Sequence, residues 1–170
     1  MSHRFAVLLL LVAVLAGCGG GEPQTPDGYA TYDGKRAAFA YPQGWEAKPS
    51  GDGAIVRPAG LADDVPGPTI ELQDFTLDQD FDDFVEQSNA VVETLISSRD
   101  GKREDYDADP EGADESVARE VNLKGIDGKP YRTVSVTARV GERVLSLSVS
   151  GRPEDKLDID GVIASLKVRQ

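Results

Sequence analysis

Cysteine, histidine, methionine and tryptophan each occur once in the 170 residues, and aromatic residues make up only 6% of the chain. The lone cysteine, Cys18, excludes an internal disulfide, so packing alone must hold the fold. The lone histidine, His3, lies in a segment that reads as a cleaved leader. What remains has no histidine. It therefore lacks the commonest general base, the commonest zinc ligand and every Ser-His or Cys-His nucleophile pair. Lysine is the remaining nucleophile, but Lys156 and Lys167 have no apolar sequence context that would activate them.

A long hydrophobic run is missing too. Phe5 to Leu15 is apolar without interruption, but a membrane-crossing helix needs roughly 20 such residues. With Arg4 ahead of it, the run fits the apolar region of a secretory signal. It ends in Leu15-Ala16-Gly17-Cys18, which is similar to the lipobox cut by lipoprotein signal peptidase. Leu15 fills an apolar subsite, Ala16 and Gly17 are small enough to enter the protease, and the Cys18 thiol accepts a diacylglyceryl group. A single acyl chain holds a protein only marginally, whereas two anchor it stably. The expectation is a lipoprotein cut before Cys18. Fatty acyl chains of the palmitate type would then hold it to the outer, extracytoplasmic face of the cell membrane.

Cationic charge is scarce. Once Arg4 has left with the leader, 17 lysines and arginines face 30 aspartates and glutamates, a net charge of −13. Nucleic-acid binding rests on neutralising phosphates, so it is excluded. Anionic headgroups would be repelled as well, which predicts a domain standing off the bilayer on its tether.

Residues 18–28 carry the lipidated cysteine and a flexible tether, and residues 29–170 suit one domain. Tyr29 to Tyr32 and Lys35 to Tyr41 flank Asp33-Gly34, a hairpin signal. Trp45 to Lys48, Ala54 to Pro58 and Thr69 to Phe75 read as further strands, although Phe75 falls on the polar side of the last. Phe81, Phe84, Val85, Ser88, Val92 and Leu95 mark one face of a helix over Asp80 to Ser98, with Asp78 or Asp80 as its cap. Lys102 to Asp114 is acidic without aliphatic residues and predicts an exposed loop. Strands over Val117 to Leu123, Tyr131 to Val140 and Arg143 to Ser150 alternate apolar with small polar residues. A closing helix has Pro153 in its first turn and Ile159, Val162, Ile163 and Leu166 on its buried side. Two runs of strands, each followed by a helix, predict an α+β domain: an antiparallel sheet covered by helices.

Phe39-Ala40-Tyr41-Pro42-Gln43-Gly44-Trp45, the helix around Phe81-Asp82-Asp83-Phe84-Val85, the Gly128-Lys129-Pro130-Tyr131-Arg132 turn and the closing Ile163-Ala164-Ser165-Leu166 occur in that order. Over Tyr29 to Val168 the chain resembles the PsbP-like superfamily, which includes a eukaryotic Ran-binding import factor and many bacterial envelope lipoproteins. The resemblance implies an α/β/α sandwich, no catalytic residues to carry over and no cofactor. It also implies a role in binding proteins or stabilising assemblies. Richness in Ala, Gly, Asp, Val and Arg suits an actinobacterial member.

Sharper chemistry is weighed against this. Asp105, Asp107 and Asp109 open like a calcium loop, but Pro110 and Ser116 stand where a glycine and a bidentate glutamate are needed, so no metal site is expected. Asp74, Asp78, Asp80, Asp82 and Asp83 offer paired carboxylates for a glycosidase, yet capping explains them. Phe39, Tyr41 and Trp45 could line a groove but read first as core. Thr133, Ser135 and Thr137 with Ser146, Ser148 and Ser150 would form a hydroxyl surface if their hairpin pairs in register. That surface could receive a partner or sugar, be solvated, or lie beneath a helix. The expected function is a non-catalytic, monomeric module that binds an envelope protein. The alternative is a carrier of a lipid or small apolar ligand, for which a cavity of about 300 Å³ or more is required.

Overall fold

The computed structural model describes residues 25–170, so the leader, Leu15, Ala16, Gly17 and Cys18 lie outside the described residues. Ten strands and two helices follow in the order β1 (Tyr29–Asp33), β2 (Ala37–Pro42), β3 (Trp45–Ser50), β4 (Gly53–Pro58), β5 (Thr69–Thr76), α1 (Phe81–Ser98), β6 (Lys102–Asp105), β7 (Glu115–Lys124), β8 (Pro130–Val140), β9 (Arg143–Gly151), α2 (Ile159–Ala164) and β10 (Lys167–Val168). They form a seven-stranded sheet, β3-β4-β5-β9-β8-β7-β6, and a three-stranded sheet, β1-β2-β10. Every neighbouring pair of strands is antiparallel.

Alternation along the strands sorts side chains between two faces. Ile70, Leu72, Val134, Val136, Leu145 and Leu147 turn inward, where Phe39 of β2 and Val162 and Ile163 of α2 meet them in one closed core. Phe39 is fully buried, whereas Tyr41 and Trp45 are half-buried against the core as a whole. The cover over this face is thus a second small sheet and a six-residue helix rather than helices alone. Ser165, just past α2, fixes that layer: its hydroxyl accepts from the Ala40 amide at 2.7 Å and donates to the Val162 carbonyl at 2.7 Å.

The opposite, outer face is crossed by α1. Phe75 alternates with the inward Leu72 and Asp74 and meets Phe84 with ring centroids 5.3 Å apart. Val144, paired with Phe75, is fully buried on this side, and Ile96 sits beside Gly101 and Leu123 at the helix's other end. The aromatic that spoils the alternation of β5 is therefore the contact on which α1 rests.

Four expectations are corrected. Asp80 occupies the cap position of α1, but its side chain makes no capping hydrogen bond. Pro153 begins a separate 3-10 turn, Pro153–Asp155, and α2 starts only at Ile159. Lys102–Asp105 is an edge strand paired with β7 rather than loop. The segment after it is not free either: Tyr106, Ala108 and Ala113 pack against the core, and Pro110 is buried. There Gly112 has φ +92°, and a Cβ on it would stand 2.1 Å from the Val168 carbonyl oxygen, so only glycine lets β10 approach. Val168 also donates to the Glu111 carbonyl at 2.7 Å. Strand pairing and four small or ring side chains thus override the polar composition of the segment.

Candidate functional site

The paired strands β8 and β9 bring the predicted hydroxyls together. Thr133 faces Ser150, Ser135 faces Ser148 and Thr137 faces Ser146, with the first pair hydrogen-bonded at 2.9 Å. All six are half-buried, on the face that α1 crosses. Their half-burial fits the reading in which this surface lies beneath a helix.

The carboxylates proposed as a catalytic pair are separated. Asp74 points to the inner face and is held by Arg143 at 2.6 Å and Arg36 at 3.7 Å, while Asp82 and Asp83 are exposed in the first turn of α1. The dipole of the helix end favours them there. Among the described residues, no three Asp, Glu, His or Cys side chains are grouped to hold a metal ion. Asp105, Asp107 and Asp109 are exposed along β6 and the strap that follows it.

A second polar cluster ties α2 to the sheet. Arg132 Nη2 donates to Glu120 at 2.7 Å and to Asp160 at 2.8 Å, and Tyr106 donates its hydroxyl to Asp160 at 2.8 Å. Hydrogen bonds from Arg132 hold both carboxyls below their usual range. Burial first, and then Asp160, pushes the Tyr106 hydroxyl up to about 12. Each group here already has its partner, so the cluster is structural and presents no free acid or base.

The part of the outer face beyond the end of α1 is left open. A groove of about 480 Å³ lies there, lined by Ile55, Val65, Pro66, Leu123, Ile126 and Tyr131 among others. Arg57, Arg99 and Arg152 also reach it. Arg57 holds one side in shape: Nη1 donates to the carbonyls of Ala62 and Asp63 at 3.1 and 3.2 Å, and Nη2 to that of Val65. Tyr131 closes the far end by donating to the Gly67 carbonyl at 3.1 Å. Four large apolar residues stand exposed among those described: Val65 (43%), Val91 (72%), Leu95 (41%) and Ile126 (81%). Val65 and Ile126 line the groove, and Val91 and Leu95 precede Arg99 at four-residue spacing along α1. Leu95, expected on the apolar face of α1, is exposed, and its neighbour Ile96 is buried instead. The groove itself could not be read from the sequence, because residues of several strands, two loops and the end of α1 assemble it.

No family model matches the chain, and no curated protein matches it. Solved structures do. PsbP from the cyanobacterium Synechocystis superposes with a TM-score of 0.53 at 16% identity, covering 91% of this chain and 99% of that one. LpqN of Mycobacterium tuberculosis, involved in cell envelope biogenesis, superposes with a TM-score of 0.53 at 14% identity, covering 84% and 91%. At such identities the likeness is one of architecture, and the chain has the PsbP-like fold.

Proposed function

We propose that the chain is a lipid-anchored module of the cell envelope, cut before Cys18 and carried at the extracytoplasmic face, which binds an envelope protein and catalyses nothing. Residues 1–17 are its leader, 18–28 its anchor and tether, and 29–170 its one domain. The observation that carries the reading is the exposed ridge of Val91 and Leu95 on α1, because exposed apolar residues gathered on one face are typical of interaction sites. LpqN, a neighbour in fold, is involved in cell envelope biogenesis, which supports the location. No helix among the described residues is long and apolar enough to cross a membrane. The absence of histidine after the leader, and the commitment of Asp74, Glu120 and Asp160 to arginines, support a non-catalytic role.

Two measurements test this. Labelling cells with a fatty acid should mark the wild-type protein and leave Cys18→Ser unlabelled and uncleaved; a labelled Cys18→Ser overturns the anchor. A photo-crosslinker placed at Val91 in the full-length protein should yield a discrete protein adduct that is lost in Leu95→Glu. Adducts that ignore Leu95→Glu overturn the docking ridge. A second reading, carriage of a small apolar envelope ligand, is favoured by the 480 Å³ groove.

A further inference from the structure

From the groove we infer a site for a single-chain amphiphile with an anionic head, the head on Arg99 and the chain along Leu123, Ile126, Tyr131 and Val65. The inference rests on the carrier reading and supplies the ligand class for it.

Three features carry it. First, the walls are apolar and pre-shaped. Arg57 and Tyr131 spend their hydrogen bonds on the carbonyls of the 61–67 loop, so the groove needs no collapse or ordering to receive a chain. Second, the charge is reversed locally. The chain is −12 overall, yet three arginines face the groove against two carboxylates, Asp63 and Asp64. Arg57 is committed to carbonyls, Arg152 pairs with Asp127 at 2.9 Å, and Asp63 pairs with Lys48 at 3.5 Å. Among the described residues the Arg99 side chain has no hydrogen bond or ion pair, and it stands at the end of α1 facing the apolar walls. A guanidinium in that setting selects a carboxylate or phosphate. Third, the location fits delivery from a bilayer. β1 enters at Tyr29 opposite Pro42, and Trp45 pairs with Pro58 beside Arg57, so the chain joins the domain at the groove's end of the sandwich. The stretch from Cys18 to Gly28 extends at most about 35 Å, which keeps that end close to the membrane.

The experiment uses the full-length protein in its own membranes. Two photoactivatable probes of equal chain length are added, a diazirine palmitic acid and the matching diazirine hexadecanol, and adducts are mapped by peptide mass spectrometry. The acid should mark peptides containing Val65 or Leu123 to Tyr131. Arg99→Gln should lower that yield about ten-fold and leave labelling by the alcohol unchanged. Competition by oleate or by lysophosphatidic acid then separates a carboxylate head from a phosphate head. Equal labelling by acid and alcohol, insensitive to Arg99→Gln, overturns the anionic head while the carrier reading stands. Groove peptides labelled by neither probe overturn both.

Discussion

Arg143 Nε donates to Asp74 Oδ1 at 2.6 Å, joining the first residue of β9 to a carboxylate that is only 8% exposed on β5. Arg36 approaches the same carboxylate from the β1–β2 hairpin at 3.7 Å, so one acid links the two sheets. Replacing Asp74 with Ala removes the carboxylate that Arg36 and Arg143 share and leaves Arg143 only Asp52 and Thr76. The urea midpoint should fall clearly, and by more than in Asp52→Ala, whose carboxylate is exposed and meets Arg143 at 3.2 Å. Equal losses would show that Asp74 does not link the layers.

The Arg132 cluster sets an acid limit. Glu120 and Asp160 have lowered folded-state pKa values, so their contribution is present in full above the unfolded values of 4.5 and 3.8. It is lost as pH falls through the folded values. Stability measured from pH 6 down to pH 2 should decline below about pH 4.5, and Asp160→Asn should flatten that decline. Tyr106 has the opposite sense: an acid raised from 10.0 to about 12 loses its contribution as pH rises between those values. Absorbance titration should show one phenol ionising last, and Tyr106→Phe should remove that step.

Gly112→Ala should lower the thermal midpoint by several degrees, since a methyl group cannot share the 2.1 Å approach of the Val168 carbonyl. Gly141→Ala is the matched control. Gly141 also has positive φ (+58°) but meets nothing within 4 Å, and its loss should be smaller.

Core and helix floor should differ in cost. Leu147→Ala, at a fully buried inner position, should cost about 3 kcal/mol in urea unfolding. Phe84→Ala removes a half-buried ring whose partner is Phe75 and should cost less. It should also speed hydrogen exchange in α1 without affecting β8 or β9, because α1 rests on the sheet from outside the main core.

The inner strands were legible because burial on one face writes itself as alternation: Val134, Val136 and Ala138 announce β8, and Leu145, Leu147 and Val149 announce β9. Their register followed as well, and with it the hydroxyl pairs. Phe75 broke the pattern for a reason that only the three-dimensional arrangement supplies, a helix packed on the outer side. Lys102–Asp105 was hidden because an edge strand draws its hydrogen bonds from β7 and needs no apolar residue of its own. β10 was hidden for the same reason: two residues, Lys167 and Val168, carry too little pattern to be seen. The groove was the least legible element of all, since its lining runs from Ile55 to Arg152 and no local spacing joins those positions.

The pairing of Ala37 and Ala38 with Val168 and Lys167 gives the chain a late-closing clasp. Nearly the whole domain must emerge before its early strand finds the last one, and contacts between such distant parts of a chain form slowly. Until then Phe39 lacks its neighbours from α2 and β10, and the inner face of the large sheet stays uncovered. A nascent chain thus leaves Phe39 and the inner face of the large sheet within reach of proteases and chaperones until Lys167 and Val168 have paired.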